Sequence, residues 1–357
     1  MRVLLVKMSS LGDVLHLMPA LSEAQQHHPD IEFDWVVEKG FAQLPSWHPA
    51  VNQVIPVAFR KLRKHTWRLW WQPEWQAFLK QLRSQRYDLV IDAQGLIKSA
   101  FIACLARGPV AGLNWPSVRE GPASWTYKKR YAVDPTIHAV VRMKRLMAAA
   151  LQYPCDDDKV DYNLELQPVA LPFSLPDKRY LIFFHGTTWV TKLWPESYWR
   201  ELAGIAQQQG LVVYLPWGSD EEYQRAQRLA KDLDNVHVLP RLSLIQLAQL
   251  LKEAAGVVTV DTGLGHVAAA MATPTVALYG ATDPAKTGTR GHNQTHLAAN
   301  FVCAPCLQKE CTYTKPSSVT PACYTQLPPN LVWQYVKRRC LEHEQGSTYH
   351  LVGGESG

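Results

Sequence analysis

The sequence predicts an α/β protein made of two doubly wound parallel-sheet domains in series. Three observations predict it. Short apolar runs of strand length alternate with segments of helical spacing in both halves. Several of these runs end in polar, glycine-bearing loops that lead into a helix, the place where open parallel sheets bind ligands. A proline-spaced stretch, residues 166–179 with Pro168, Pro172 and Pro176, interrupts regular structure between the halves. The expected organisation is a first domain over 1–167, a second over 168–328, and a terminal helix and tail over 329–357.

In the first half, Val3–Val6 reads as a buried strand, Lys7–Asp13 as the loop after it, and Val14, Met18 and Leu21 as one face of a helix. Strands are expected again at Phe33–Val37 and Leu89–Ile91, the latter followed by Asp92-Ala93-Gln94-Gly95. The second half repeats the pattern more clearly. Strands are expected at Tyr180–Phe184, Leu211–Leu215, Val236–Leu239, Val257–Val260 and Thr275–Leu278. Helices fall between them at Pro195–Gln209, Glu221–Leu233, Ser243–Glu253 and Leu264–Ala272. Pro195 suits a first helical position, and Ser243 with Gln246 reads as a capping box. A last helix is expected over Leu331–Leu341. Two domains of this kind predict a ligand cleft between them.

Composition narrows the class. The chain has 357 residues, 47% hydrophobic and 19% charged, an ordinary globular balance. No apolar run reaches the roughly 20 residues of a membrane span, and Lys7 ends the first run too early for a secretory leader. A cytoplasmic protein is expected. The net charge of +6 suits an anionic partner, whether lipid, phosphorylated sugar or nucleic acid. No nucleic-acid-reading motif accompanies it, so nucleic acid is not expected.

The loops carry the chemistry. Asp13, at a helix start after a glycine, reads equally as an N-cap or as a carboxylate kept ionised for catalysis. Thr187, Thr188 and Lys192 follow a strand and precede a helix. They offer two hydroxyls, a cation and helix-start N–H groups to a diphosphate, or form a plain surface loop. Asp261, Thr262, Gly263 and His266 end an apolar strand and open a helix. Capping would account for Asp261 alone and a satisfied interior position for His266 alone, but the cluster at a strand's end is more telling than any single member. Neither a dinucleotide fingerprint nor a P-loop is present, which weighs against a dehydrogenase. Arg60, Lys61, Arg63 and Lys64 begin a basic run interleaved with Trp67, Trp70 and Trp71. No acid lies between Asn52 and Pro73, a pattern that fits a solvated face or contact with anionic lipid and phosphorylated sugar. Seven cysteines argue against a disulfide framework. Four of them, Cys303, Cys306, Cys311 and Cys323, have spacing that would admit a structural metal, with free thiols the preferred reading.

Taken together these segments resemble the heptosyltransferase I group of family 9 glycosyltransferases, from residue 1 to about 300. The specific pieces are Lys7-Met8-Ser9-Ser10-Leu11-Gly12-Asp13-Val14-Leu15-His16, Phe33-Asp34-Trp35-Val36-Val37-Glu38, Ile91-Asp92-Ala93-Gln94-Gly95-Leu96, Trp194-Pro195-Glu196 and Val260-Asp261-Thr262-Gly263-Leu264. His138-Ala139-Val140 and Tyr279-Gly280-Ala281-Thr282-Asp283-Pro284 add to them. The resemblance implies a GT-B architecture, an ADP-heptose donor, a Kdo-lipid A acceptor at the cytoplasmic face of the inner membrane, and inverting transfer that requires no cofactor. It implies Asp13 as general base. Thr187, Thr188 and Lys192 would hold the diphosphate, Glu222 the ribose and Asp261 the heptose, with Thr262, Gly263 and His266 lining the donor pocket. Arg60, Lys61, Arg63, Lys64 and Arg119 would meet the acceptor's carboxylates and phosphates. Two features depart from the pattern: the cysteine cluster, and Gly265 where serine is expected, an exchange that should be tolerated. The rival readings are a sibling enzyme with another donor or core acceptor, and a non-catalytic lipopolysaccharide- or membrane-binding protein on the same fold.

Overall fold

The computed structural model describes residues 1–59 and 72–348, with side chains described to Arg339. The chain divides into two compact units, Met1–Leu166 and Gln167 onward. Among the described residues no helix is long and apolar enough to cross a membrane.

The first unit is built on six parallel strands: β1 (Arg2–Val6), β2 (Glu32–Glu38), β3 (Val51–Val57), β4 (Leu89–Asp92), β5 (Val110–Leu113) and β6 (Lys129–Tyr131). Their order is β3-β2-β1-β4-β5-β6. The chain therefore reverses its winding direction between β1 and β4, and the loops leaving those two strands flank a switch point. Helices α1 (Leu11–His27), α2 (Pro73–Leu82), α3 (Ile97–Leu105) and α4 (Ala139–Leu151) accompany the sheet. The residues of β1 from Val3 to Val6 are fully buried, as expected for a central strand covered on both faces.

The second unit repeats the plan with β7 (Tyr180–Phe184), β8 (Val212–Leu215), β9 (Val236–Val238), β10 (Gly256–Val260), β11 (Thr275–Tyr279) and β12 (Gln294–Ala298). The order β12-β11-β10-β7-β8-β9 is again all parallel, with its switch point between β7 and β10. Its helices are α5 (Glu196–Gln208), α6 (Asp220–Ala230), α7 (Leu244–Glu253), α8 (Gly263–Ala270), α9 (Pro284–Thr287) and α10 (Pro329–Thr348). Helix α10 runs longer than its apolar spacing suggests. It buries Val332 and Val336 in the core that also holds Trp194, Trp199 and Val258.

Local chemistry explains several boundaries. Ser243 caps α7 by accepting the Gln246 N–H, and the Gln246 side chain answers at the Ser243 N–H, 3.0 Å away. Pro195 is the N-cap of α5, not its first helical residue: its ψ of 139° is extended, and the helix begins at Glu196. No helix or strand lies between Leu151 and Tyr180, where the prolines interrupt the chain. The strands absent from the sequence reading are β3, β5, β6 and β12. Three of them are outer strands whose faces are partly wet, so their apolar pattern is weak. Strand β5 is buried but short and small, and the Tyr127 ring occupies the space above its Gly112.

Candidate active site

In the first unit the loop after β1 is held by its neighbour across the switch point. The Gln94 side-chain oxygen accepts the N–H groups of Met8 and Ser9 at 3.0 and 3.1 Å. Asp92, fully buried, fixes the loop that carries Gln94. Its carboxylate accepts from the Gln94 and Gly95 N–H groups, the Ser99 hydroxyl and the Tyr127 hydroxyl at 2.7–3.0 Å. Burial raises the Asp92 pKa, and those four hydrogen bonds oppose the shift. Trp35 donates its indole N–H to the Lys7 carbonyl at 3.0 Å. Asp34 ties together Arg2, Asn52 and Tyr87. Most of the sequence signature in this unit thus builds the frame of the loop.

Asp13 stands on that frame. It is the third residue of α1, with one carboxylate oxygen accepting the Ser10 N–H at 2.7 Å and the Ser10 hydroxyl at 3.1 Å. It is therefore the N3 partner of a capping box whose N-cap is Ser10. Half-exposed, it lines a pocket with Lys7, His16, Gln94, Arg119, Arg142 and Met143. Lys7 is buried, its ammonium donating to the Ala93 carbonyl at 2.9 Å. Burial lowers its pKa, while the Asp13 and Asp92 charges pull the other way. Arg142 projects from α4 and donates to the Ser117 carbonyl at 2.7 Å. Its Nε is buried with no partner among the described residues. Burial lowers its pKa too, with Asp134 opposing and Arg119 adding to the effect. One carboxylate among three basic side chains gives the pocket the chemistry to hold an anionic group beside a proton acceptor.

In the second unit the switch point is bridged by charge. Lys192 lies in a short 3₁₀ turn, Val190–Lys192, and its ammonium meets the Asp261 carboxylate at 2.7 Å. The same carboxylate oxygen accepts the Thr282 hydroxyl at 2.6 Å, and Thr187 donates to the Asp261 carbonyl at 3.0 Å. The Lys192 ammonium sits 4.4 Å from the centre of the Trp189 ring. Thr262 is the N-cap of α8 and Gly263 its first residue, so Asp261 is not the cap and is free for the ion pair. His266 is buried on the same helix. Glu222, in the first turn of α6, accepts the Gly218 N–H at 2.7 Å. Its carboxylate lies against Gly186, where a Cβ would fall 2.3 Å from it; only glycine lets the two meet.

Thr187 and Thr188 stand apart from the start of α5, which lies beyond the 3₁₀ turn. The helix start belonging to this group is that of α8. His185, buried at the end of β7, has its pKa pushed down to about 3 by burial, with the Arg225 cation adding to it, and stays neutral. Gly265 is tighter than its sequence suggests. A Cβ there would lie 3.1 Å from the Thr259 methyl group, so a serine requires its neighbours to shift.

Arg119 lines the Asp13 pocket. Arg60, Lys61, Arg63 and Lys64 lie outside the described residues. Lys7, His16 and Arg142 were missed as site residues. His16 follows Asp13 by one helical turn, a spacing that could have found it; Lys7 and Arg142 have no comparable signal. Cys303 and Cys311 are exposed, Cys306 is half-buried and Cys323 is buried. The Cys323 thiol is pushed up to about 11 by burial and then by the other three sulfurs. Among the described residues no group of three or more histidine, cysteine or acidic side chains is placed to hold a metal ion.

Comparison with known proteins then decides the family. The model of glycosyltransferase family 9 (heptosyltransferase) matches residues 75–316, more than half of the chain. The chain belongs to glycosyltransferase family 9. The chain is similar to lipopolysaccharide heptosyltransferase 1 of Pseudomonas aeruginosa, 51% identical over 354 residues, 96% of this chain and 99% of that protein. It is 46% identical to lipopolysaccharide heptosyltransferase 1 of Escherichia coli K12, over 82% of this chain and 92% of that one. Among solved structures, the E. coli heptosyltransferase WaaC with ADP has a TM-score of 0.81 at 41% identity, covering 95% of this chain and all of that one. WaaC with ADP-2-deoxy-2-fluoro heptose has a TM-score of 0.77 at 40% identity, covering 95% and 99%. As a family 9 member with this fold, the chain is a GT-B glycosyltransferase.

Proposed function

We propose that the chain transfers L-glycero-D-manno-heptose from ADP-heptose to a Kdo residue of Kdo-lipid A, with inversion, in the assembly of the lipopolysaccharide inner core. The observation that carries this reading is the Asp13 pocket. Its three cations suit an acceptor that is itself an acidic sugar, and its one carboxylate is half-exposed and held by Ser10. Arg119 and Arg142 meet the Kdo carboxylate, and the Arg60, Lys61, Arg63 and Lys64 run meets further carboxylates and lipid A phosphates.

A Kdo hydroxyl oxygen attacks the anomeric carbon of the donor. The bond from that carbon to the diphosphate oxygen breaks, ADP leaves with the electron pair, and the hydroxyl proton passes to Asp13. A carboxylate at a helix start is a weak base, but it suffices when the proton moves late, after the attacking oxygen has become acidic. In the second unit, Lys192 exchanges Asp261 for the diphosphate and offsets the charge that grows on ADP. Asp261, released, accepts hydroxyls of the heptose. Thr187 and Thr188 donate to phosphate oxygens, Glu222 accepts from the ribose, and Thr262, Gly263 and His266 line the donor pocket. The N–H groups at the α8 start add anion-binding capacity. No cofactor is required, and the four clustered cysteines remain free thiols outside the chemistry. The enzyme works in the cytoplasm, peripherally on the inner membrane.

A panel of nucleotide sugars and core acceptors, read by release of free nucleotide, tests the assignment. ADP released from ADP-heptose only when Kdo-lipid A is present supports it. Turnover with a heptosylated core acceptor and none with Kdo-lipid A makes the chain a sibling enzyme. Absence of turnover with every pair makes it a binding protein.

A further inference from the structure

One stretch of the first unit is strongly basic. Residues 96–131 carry six basic side chains and a single acid, Glu120, within a chain whose whole excess is +6. That acid is engaged, since its carboxylate accepts the Ile97 N–H at 2.7 Å at the start of α3. The same stretch leaves four large apolar side chains in water: Ile97 (55% exposed), Phe101 (37%), Trp115 (50%) and Trp125 (68%).

These side chains belong to adjoining structure. Trp115 and Trp125 stack with ring centres 5.1 Å apart. Gly121 makes room for the pair, since a Cβ there would fall 2.7 Å from the Trp115 ring. The Glu120–Ile97 bond ties this turn, Gly121–Thr126, to α3, which packs along it. Arg130 is braced beside Trp125, donating to its carbonyl at 3.3 Å and to that of Tyr127 at 3.1 Å, and Lys128 and Lys129 next to it are exposed. Phe101 stacks on Trp75 of α2, the helix that follows the Arg60–Lys64 run in the chain.

Exposed indoles forfeit hydrophobic stabilisation that a covering partner restores. The cations beside Trp125 select that partner. Indoles and aliphatics inside a margin of lysine and arginine match the headgroup boundary of an anionic bilayer, where the rings enter and the cations meet phosphate. We infer that this face, Ile97, Trp115 and Trp125 with Lys128, Lys129 and Arg130, docks the enzyme on an anionic lipid surface. The inference rests on the reading above that the acceptor is lipid-borne. Arg119 belongs to the same stretch and lines the Asp13 pocket, so docking here sets that pocket beside the surface from which a lipid-anchored sugar protrudes.

Co-sedimentation of the full chain with vesicles tests it. One set is phosphatidylethanolamine with phosphatidylglycerol, the other phosphatidylcholine alone. The wild type is expected to pellet with the anionic vesicles and not with the neutral ones. Lys128→Gln with Lys129→Gln should weaken partition about 25-fold, at about fivefold per charge. Trp125→Ser with Ile97→Ser should weaken it at least about tenfold without moving the thermal midpoint. All variants should glycosylate a deacylated, water-soluble Kdo acceptor at the wild-type rate and lose efficiency only on vesicle-embedded acceptor. Anionic-vesicle binding that is absent, or unchanged in both double variants, overturns the docking face. So does a concentration-dependent dimer that Trp125→Ser abolishes, which would assign the patch to self-association. Failure to glycosylate even the soluble acceptor, with vesicle binding intact, instead overturns the functional reading and leaves the docking face standing.

Discussion

Asp13→Asn separates the capping contact that residue 13 makes from the proton-accepting role proposed for it. In the native protein one carboxylate oxygen holds the Ser10 N–H at 2.7 Å and its hydroxyl at 3.1 Å, so the side chain starts α1 whatever its chemistry. Asparagine keeps an oxygen for the Ser10 N–H. What it loses structurally is one negative charge in the first helical turn, about 0.3–1 kcal/mol of stability. What it loses chemically is the proton acceptor, a factor of about 10²–10⁴ in rate, or about 3–5 kcal/mol on the barrier. The second number exceeds the first severalfold, so a folding defect cannot imitate it. Donor affinity should not change, because Thr187, Lys192, Glu222 and Asp261 all lie in the other unit. The assay is kcat for heptose transfer, with the thermal midpoint and the donor Kd measured on the same preparation. Turnover within about threefold of wild type, with fold and donor binding intact, would refute the role given to Asp13.

Three further outcomes are expected. Lys192→Ala leaves Asp261, about nine-tenths buried, as an uncompensated carboxylate beside the diphosphate. Donor Kd should rise at least about tenfold and kcat should fall, with acceptor KM little changed. Arg142→Met should raise acceptor KM by about one to two orders of magnitude and leave donor Kd alone, as loss of a charged hydrogen-bonding group does. Equal losses on both substrates would reduce Arg142 to a strut for Ser117. Stability should also fall with acid. His48 accepts the Ala50 N–H at its Nδ1 and faces Ser22 through Nε2, and burial lowers its pKa from 6.5 to about 4. The unfolded chain then takes up the proton first. The stabilisation is complete above pH 6.5 and is lost as pH falls toward 4; it is worth about 3 kcal/mol. His48→Gln should flatten the urea-midpoint profile over that range in part, since His185 contributes in the same sense.

The fold class could be read from sequence because central parallel strands are apolar on both faces. Val3–Val6 and Tyr180–Phe184 are contiguous apolar runs, Val257–Val260 is broken only by Thr259, and each lies buried in the middle of a sheet. The outer strands Val51–Val57, Lys129–Tyr131 and Gln294–Ala298 face water on part of their surface, and β3 carries Pro56, so no run marks them. Site residues divide along a similar line. Asp13, in the first turn of α1, Lys192, in a short 3₁₀ turn, and Asp261, directly after β10, all follow strand ends closely in sequence, where spacing alone marks them. Arg142 comes from the first turn of a helix, and its place in the pocket depends on α4 packing beside the loop after β1, which no local pattern encodes. The ion pair between Lys192 and Asp261 joins residues far apart in sequence but adjacent across the β7–β10 switch point. Sequence shows two candidate ligands for a sugar nucleotide. Only the fold shows that they pair with each other.

The most direct measurement is mass-spectrometric detection of product from ADP-heptose and Kdo-lipid A, with wild type and Asp13→Asn run side by side. A single added heptose is expected, dependent on both substrates, with one ADP released per transfer and a rate at least about a hundredfold lower in the variant. Heptosylated product at equal rates from both proteins, or no product from the wild type with this pair, would contradict the mechanism.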